Sequence, residues 1–427
     1  MTNFRRVITI LISASIVLSG CQTTGSGKGI DTLIGPKLSS WFEKEREAKI
    51  DPEKPRLDVV VPVFDPGLAL NEGLKSQNDD SAEGFGTETQ SDGVWPELRR
   101  AEANRFALKL KEALEKTGAF GAVRVTPDKT ATADLYVQGK IINSNAEEVE
   151  IEVEVTDITG EVWFTRHFEH EVQEDFHKHH RNKGKDVYDP VFKKAADRIA
   201  VELEEHDKAA LLNIQNVTEL RFGANLLDNA FVNHIKLEDG IFKVESFPAE
   251  NDPMLMRTRA VRVRDQLFID GLQENYEQFN LEMEPSYLVW QEQSLQEIAA
   301  KREQQAKATG EAAAAVGLFA LAILAAAAGA NSSDVSSSAL SSTGAIVAGA
   351  AGAHFLQKSF QTSEEAKVHR DALGELGQSV DMEMGPRVVE FENKTIELTG
   401  DAKEQFIQWR AFLKKMYTVE ATPEKQL

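Results

Sequence analysis

The chain of 427 residues has a single cysteine, a shortage of basic residues and few aromatics: 48 Lys+Arg stand against 69 Asp+Glu, a formal net charge of −21, with 7% Phe, Trp and Tyr. One cysteine excludes a disulfide framework within the chain. The acidity argues against a general nucleic-acid binder, since a chain of this net charge would not neutralise a run of phosphates. The familiar catalytic signatures are missing as well. There is no Gly-rich phosphate loop, no Gly-x-Ser-x-Gly elbow and no His-Glu-x-x-His. Acidic pairs such as Glu147/Glu148 and Asp79/Asp80 occur at the rate an acidic chain would give, so they do not argue for a glycosidase-like pair. The expectation is a protein without catalytic residues, cofactor or metal. A hydrophobic content of 41% is enough for packed cores, and the length suggests two or three domains.

The cysteine has a distinctive place. Arg5 and Arg6 form a positive n-region, Val7 to Val17 is an apolar stretch of secretory-signal length, and Leu18-Ser19-Gly20-Cys21 follows. This resembles a bacterial lipobox, which implies cleavage after residue 20 and lipidation of Cys21. By the sorting rule of such lipoproteins, Gln22 in place of aspartate implies the outer membrane. Acyl chains would anchor the protein firmly in lipid, at roughly 0.8 kcal/mol for each buried methylene. Cleavage would remove two arginines and no acid, leaving the mature chain more acidic still. Residues 21–54, beginning Thr23-Thr24-Gly25-Ser26-Gly27, read as a flexible lipidated tether with a short amphipathic piece around Leu38, Trp41 and Phe42.

Residues 55–210 read as a small α/β domain. Leu57–Phe64 is a β-branched run closed by Asp65-Pro66-Gly67, and 71–93 is a polar loop. From Trp95, Leu98, Phe106, Leu110 and Leu114 share a helical face, and Gly118 ends the helix. Strands are expected at 122–125, 135–142, 149–156 and 162–168. Strict Glu alternation from Glu148 to Val155 gives the sheet one wet, acidic face, and a helix at 190–205 would cover the dry one. The order resembles the TolB amino-terminal domain and the related domain of curli-secretion and penicillin-binding-protein-activator lipoproteins. The residues that carry it are Val59–Asp65, Gly118-Ala119-Phe120, Ala133–Gly139 and Asp157–Trp163. The resemblance implies a protein-binding module of the cell envelope. Five histidines (His167, His170, His177, His179 and His180) crowd the end of this region. A cationic solvated loop and a metal or pH-sensing contact are both open readings there.

The remainder is expected to be mainly helical, which makes the whole chain α+β. It divides into a mixed, mostly helical region at 211–300, an apolar hairpin at 301–360, and a helix, β-hairpin and helix at 361–427. A helix should begin at Asp252-Pro253, and Pro285 should break or re-initiate it. Its opening turns carry Arg257, Arg259, Arg262 and Arg264, a row that could hold an anion or pair with acids on a neighbour. Then charge stops: from Ala312 to Gln357 the only formal charge is Asp334, and 11 of the 19 residues from Ala312 to Ala330 are alanine. Gly344, Ala348 and Gly352 repeat at the small-xxx-small interval that lets helix backbones approach closely. With Gly317, Leu318, Phe319, Leu321, Ile323 and Leu324 on the outgoing arm, they are the candidates for membrane insertion or self-association. A 19-residue helix reaches about 28 Å, close to a hydrocarbon core of about 30 Å. Further on, Asp401-Ala402-Lys403-Glu404 reads as a capping box for a last helix.

Two functional readings follow. One is a non-enzymatic outer-membrane lipoprotein, mainly periplasm-facing, that self-associates through the hairpin as a scaffold or export-channel component. The other is a periplasmic adaptor that regulates a cell-wall enzyme or an envelope machine. The expected partners are outer-membrane lipid, further copies of the chain and other envelope proteins.

Overall fold

A computed structural model of the chain describes residues 48–68, 95–226, 231, 233–327, 364–391 and 394–421. Side chains of 301, 304–327, 364–367, 391 and 418–421 lie outside the described set. The expected α+β class is what the structure has. A five-stranded mixed sheet comes first, built from β1 (Val59–Pro62), β2 (Val123–Thr126), β3 (Leu135–Ser144), β4 (Glu148–Asp157) and β5 (Val162–Glu171) in the order β2-β1-β3-β4-β5. β1 pairs in parallel with β2 and β3, whereas β3, β4 and β5 form an antiparallel meander. The parallel pairing follows from the helix between β1 and β2, α1 (Pro96–Thr117), which carries the chain back across the sheet. Proline at the first helical position starts α1, and Gly118 in the left-handed region (φ 69°) ends it.

The alternation on β4 does what the pattern requires. Val149, Ile151, Val153 and Val155 are fully buried while Glu148 and its neighbours at 150, 152 and 154 face outward. The dry face is covered by α1 and by α2 (Asp189–Glu205). Phe106 of α1 sits at the middle of that layer, edge-on to Phe64, Tyr188 and Phe192 at ring separations of 5.0 to 6.3 Å.

The next helix, α3 (Lys208–Leu226), crosses the boundary expected at 210 into the region expected to be mixed and helical. It buries Leu211, Ile214, Val217, Leu220 and Phe222, which lie on more than one side of the helix. A helix wedged between neighbours loses the clean amphipathic stripe by which it would be recognised. A hairpin of β6 (Ile235–Glu238) and β7 (Ile241–Val244) follows.

The dominant element is α4, one helix of 75 residues from Pro253 to Ala327. The expected break at Pro285 is absent. Pro285 lies inside the helix on its exposed side, and the carbonyl it frees is that of Leu281, also exposed, which water can satisfy. α5 (Glu364–Leu376) returns along α4 and α1. Its following residue, Gly377, sits so close to α1 that a Cβ there would lie 1.8 Å from the carbonyl oxygen of Glu97. Finally β8 (Arg387–Phe391) and β9 (Lys394–Leu398) form a hairpin before α6 (Ala402–Ala421). The capping box forms as expected: Glu404 N–H donates to Asp401 Oδ1 at 2.8 Å, and Asp401 N–H donates to Glu404 Oε2 at 3.3 Å. Phe406, Trp409, Leu413 and Tyr417 of α6 are all buried.

One buried cluster runs from Leu57 through Tyr417, taking in residues on both sides of position 210. Phe268 of α4 stacks on Trp409 of α6 with ring centroids 4.9 Å apart, and Trp409 Nε1 donates to the buried Asp265 carboxylate at 3.0 Å.

Candidate functional site

The strongest functional signal in the sequence lies on α4, so the site begins with how that helix is held. Polar side chains of α4 grip the α/β unit one after another. Gln266 Nε2 donates to Asp58 Oδ2 at 3.2 Å. Asp270 receives both Nε and Nη2 of Arg124, at 2.5 and 3.2 Å. Gln273 then pairs with strand β2 as another strand would: Val125 N–H donates to its Oε1 at 2.9 Å, and its Nε2 donates to the Val125 carbonyl at 2.8 Å. β2 is an edge of the sheet, so this amide satisfies main-chain groups that the sheet leaves open.

Farther along, α4 closes a buried polar network. Arg105 of α1 is fully buried, donates to Asp186 Oδ2 at 2.7 and 3.2 Å and to the Asn280 side chain, and lies 4.7 Å from the Tyr287 ring centroid. Gln291 Nε2 donates to the other oxygen of Asp186 at 2.7 Å. Burial alone would raise the Asp186 carboxyl. The charges of Arg105 and Lys109, with the Gln291 and Tyr188 hydrogen bonds, outweigh it and hold the group below its ordinary range. The neighbouring Glu102 goes the other way. Burial pushes it up despite Arg99 and the hydroxyls of Ser144 (2.5 Å) and Tyr287 (2.7 Å). Together the two buried carboxyls take partners from α1, β3 and α4, an arrangement that fixes the register of α4 against α1.

The arginine row near the start of α4 is mostly taken up by neighbours. Arg259 pairs with Glu219 of α3 and, at 2.7 Å, with Glu250. Arg257 donates to the Tyr417 carbonyl at 2.9 Å and lies 4.7 Å over the ring of the same residue. Arg262 lies 3.9 Å from Asp134. Between α3, α4 and the starts of β1 and β3 is an open cleft of about 330 Å³ lined by Asp58, Asp134, Gln215, Glu219, Arg259 and Arg262. Its carboxylates are engaged: Asp134 accepts from Thr218 Oγ1 at 2.6 Å and from Asp58 N–H at 2.8 Å, and Asp58 accepts from Ala122 N–H at 3.0 Å. Burial raises the Asp134 carboxyl, opposed by those bonds and by Arg262. The cleft is a junction of strand starts rather than a set of convergent free groups.

At the far end of the body, Arg302 of α4 pairs with Glu147 in the β3–β4 turn and lies 3.6 Å from Glu174. The helix continues past this point to Ala327, so about 25 further residues carry it roughly 38 Å along its axis. Gly317, Leu318, Phe319, Leu321, Ile323 and Leu324 all belong to this extension of α4; their side chains lie outside the described set. Cys21, Gly344, Ala348 and Gly352 lie outside the described residues altogether. Among the residues whose side chains are described, which on α4 end at Glu303, no helix is long and apolar enough to cross a membrane.

The five histidines separate. His167 is exposed between Glu150 (2.7 Å) and Glu152 (3.0 Å), His170 is buried, and His179 contacts Asp175 at 3.0 Å. Among the described residues no group of three or more His, Cys, Asp or Glu is placed to hold a metal ion. What the sequence reading missed was the polar inner face of α4. Gln266, Asp270, Gln273, Asn280, Tyr287 and Gln291 are interleaved with Ile269, Leu272, Tyr276 and Met283, and no motif distinguishes such contacts from a solvated helix face.

No family model, no curated protein and no solved structure matches this chain.

Proposed function

We propose that this chain is a non-enzymatic, lipid-anchored envelope protein that self-associates through the apolar segment following Arg302, as a structural or export-channel component at the outer membrane. The observation that carries the reading is the continuity of α4. One helix is clamped to the body from Gln266 to Arg302 and then runs straight into the charge-free stretch beginning at Ala312. A helix held so firmly delivers its extension in a fixed direction, which suits assembly with other copies better than a floppy tether would. An apolar run of this length also needs a partner, either lipid or protein. Supporting the envelope assignment are the lipobox-like Leu18–Cys21 and the resemblance of residues 55–210 to the TolB amino-terminal domain.

The test is particle mass by light scattering after detergent extraction. The full-length lipidated protein should elute as a large, defined oligomer, and deletion of Gly310–Gly352 should reduce it to monomer or dimer. An unchanged oligomer after the deletion would sink assembly through the arm. A full-length monomer would favour the adaptor reading instead.

A further inference from the structure

A second feature stands at the base of the same helix. Between β5 and α2 the chain runs Phe176-His177-Lys178-His179-His180-Arg181-Asn182-Lys183-Gly184-Lys185, nine residues from His177 onward without a single acid, in a protein with a net charge of −21. Lys178, Arg181, Lys183 and Lys185 are exposed, and none has an ion-pair partner among the described residues. The acids on either side are already engaged: Glu174 with Arg302, Asp175 with His179, and Asp186 with Arg105. Glu171, at the end of β5, is the nearest exposed acid in sequence without such a partner.

The loop is not loose. Buried Phe176 pins one end, and Asp186, Val187 and Tyr188, all buried, pin the other. Short 3-10 turns at Phe176–Lys178 and His180–Asn182 shape the middle, where Asn182 Nδ2 donates to the Phe176 carbonyl at 3.0 Å. Its position is fixed as well. Glu174 reaches α4 at Arg302 and Asp186 reaches it at Gln291, so the loop lies along the turns of α4 that precede the uncharged stretch.

We propose that the loop from His177 to Lys185 is a docking site for a bilayer surface bearing anionic glycerophospholipid headgroups. Four cations presented outward on an ordered loop, with no convergent geometry for one bound anion, match the spread charge of a lipid surface. They stand beside the helix whose extension is the chain's apolar stretch. Each lysine or arginine near such a surface contributes favourably and additively, and salt screens the effect. The inference rests on the reading of the chain as membrane-associated, and its test is separable from that of assembly through the arm.

The experiment uses the chain without residues 1–20 and carrying Cys21→Ser, so that no acyl chain contributes, in flotation with vesicles of phosphatidylcholine alone or with added phosphatidylglycerol. The starting chain should prefer the phosphatidylglycerol vesicles, and salt should weaken that preference. Lys178→Gln, Arg181→Gln, Lys183→Gln and Lys185→Gln together should lower binding to those vesicles by roughly tenfold or more. Thermal unfolding and binding to phosphatidylcholine should stay unchanged. Equal binding by the variant and the starting chain to phosphatidylglycerol vesicles overturns the docking site, whatever deletion of Gly310–Gly352 does to the oligomer. Binding to neither vesicle overturns it too. If the variant instead loses oligomer mass in lipid-free detergent while its vesicle preference is intact, the loop meets acidic residues of a second copy, and the lipid proposal is wrong.

Discussion

His170 shows how one buried side chain ties pH to stability. It points inward from β5 and is 2% exposed, opposite Val149 of β4. Burial, with the nearby charge of Lys194 adding to it, lowers its pKa to about 4. A depressed imidazole is held neutral in the fold while the unfolded chain takes up a proton near the ordinary value of about 6.5. Stability is therefore complete above about pH 6.5 and is lost as pH falls from there toward 4. At pH 5 the loss attributable to this one group is about 2 kcal/mol. Glu102, Asp134 and Asp265, whose carboxyls burial raises, work in the opposite direction on acidification. The observable is thus a difference. Urea denaturation at pH 7.5 and pH 5 should cost the wild type about 2 kcal/mol more than it costs His170→Gln. Parallel pH dependence in the two proteins would show that His170 protonates freely in the fold.

At the scale of elements, Gln273 makes a sharper prediction than any apolar contact of α4. Its amide both accepts from and donates to Val125 on an edge strand. Gln273→Ala should leave those main-chain groups unpaired against a helix, at a cost of about 1–2 kcal/mol. Gln273→Glu keeps the acceptor but turns a carboxylate oxygen toward the Val125 and Ile269 carbonyls that the amide now donates to, so it should cost at least as much as Gln273→Ala. Amide exchange at Val125 is the local readout, and protection unchanged in Gln273→Ala would mean water replaces the side chain at no cost. The same element shows what a sequence discloses and what it conceals. The strands of the meander were legible because the β4 pattern of Glu and Val/Ile maps directly onto an outer and an inner face. The last helix was legible because Asp401 and Glu404 announce its start. The bounds of α3 were hidden because its buried residues lie on more than one side, and the continuity of α4 was hidden because proline at 285 reads as a stop when its exposure is unknown. The candidate arm was visible as a gap in charge. The inner face that holds its base was not, because glutamines and asparagines that grip a neighbouring strand look the same in sequence as those that face water.

Over the whole molecule, the arm and the body should be separable in folding although one helix belongs to both. The body's described core is one cluster that extends from Leu57 to Tyr417. The two ends of the arm are held independently of it. Arg302 is tied to Glu147, Ser286 Oγ meets His369 Nδ1 at 3.1 Å, and beyond α5 the chain is fixed to α1 by Arg100 Nε donating to the Gly377 carbonyl at 2.6 Å and Asn104 Nδ2 to the Val380 carbonyl at 2.9 Å. Closing a shorter connection between anchored ends changes chain entropy only slowly with length, by about 0.6 kcal/mol for each halving. Deleting Gly310–Gly352 should therefore leave the unfolding free energy within about 1 kcal/mol of the intact chain's and the transition cooperative, as followed by circular dichroism in urea. A loss greater than about 3 kcal/mol would mean the arm supplies core to the body, and a smaller oligomer from the deleted chain would then report unfolding rather than a lost contact. An unchanged transition alongside a collapsed oligomer is the pair of results that makes the arm an assembly element in its own right.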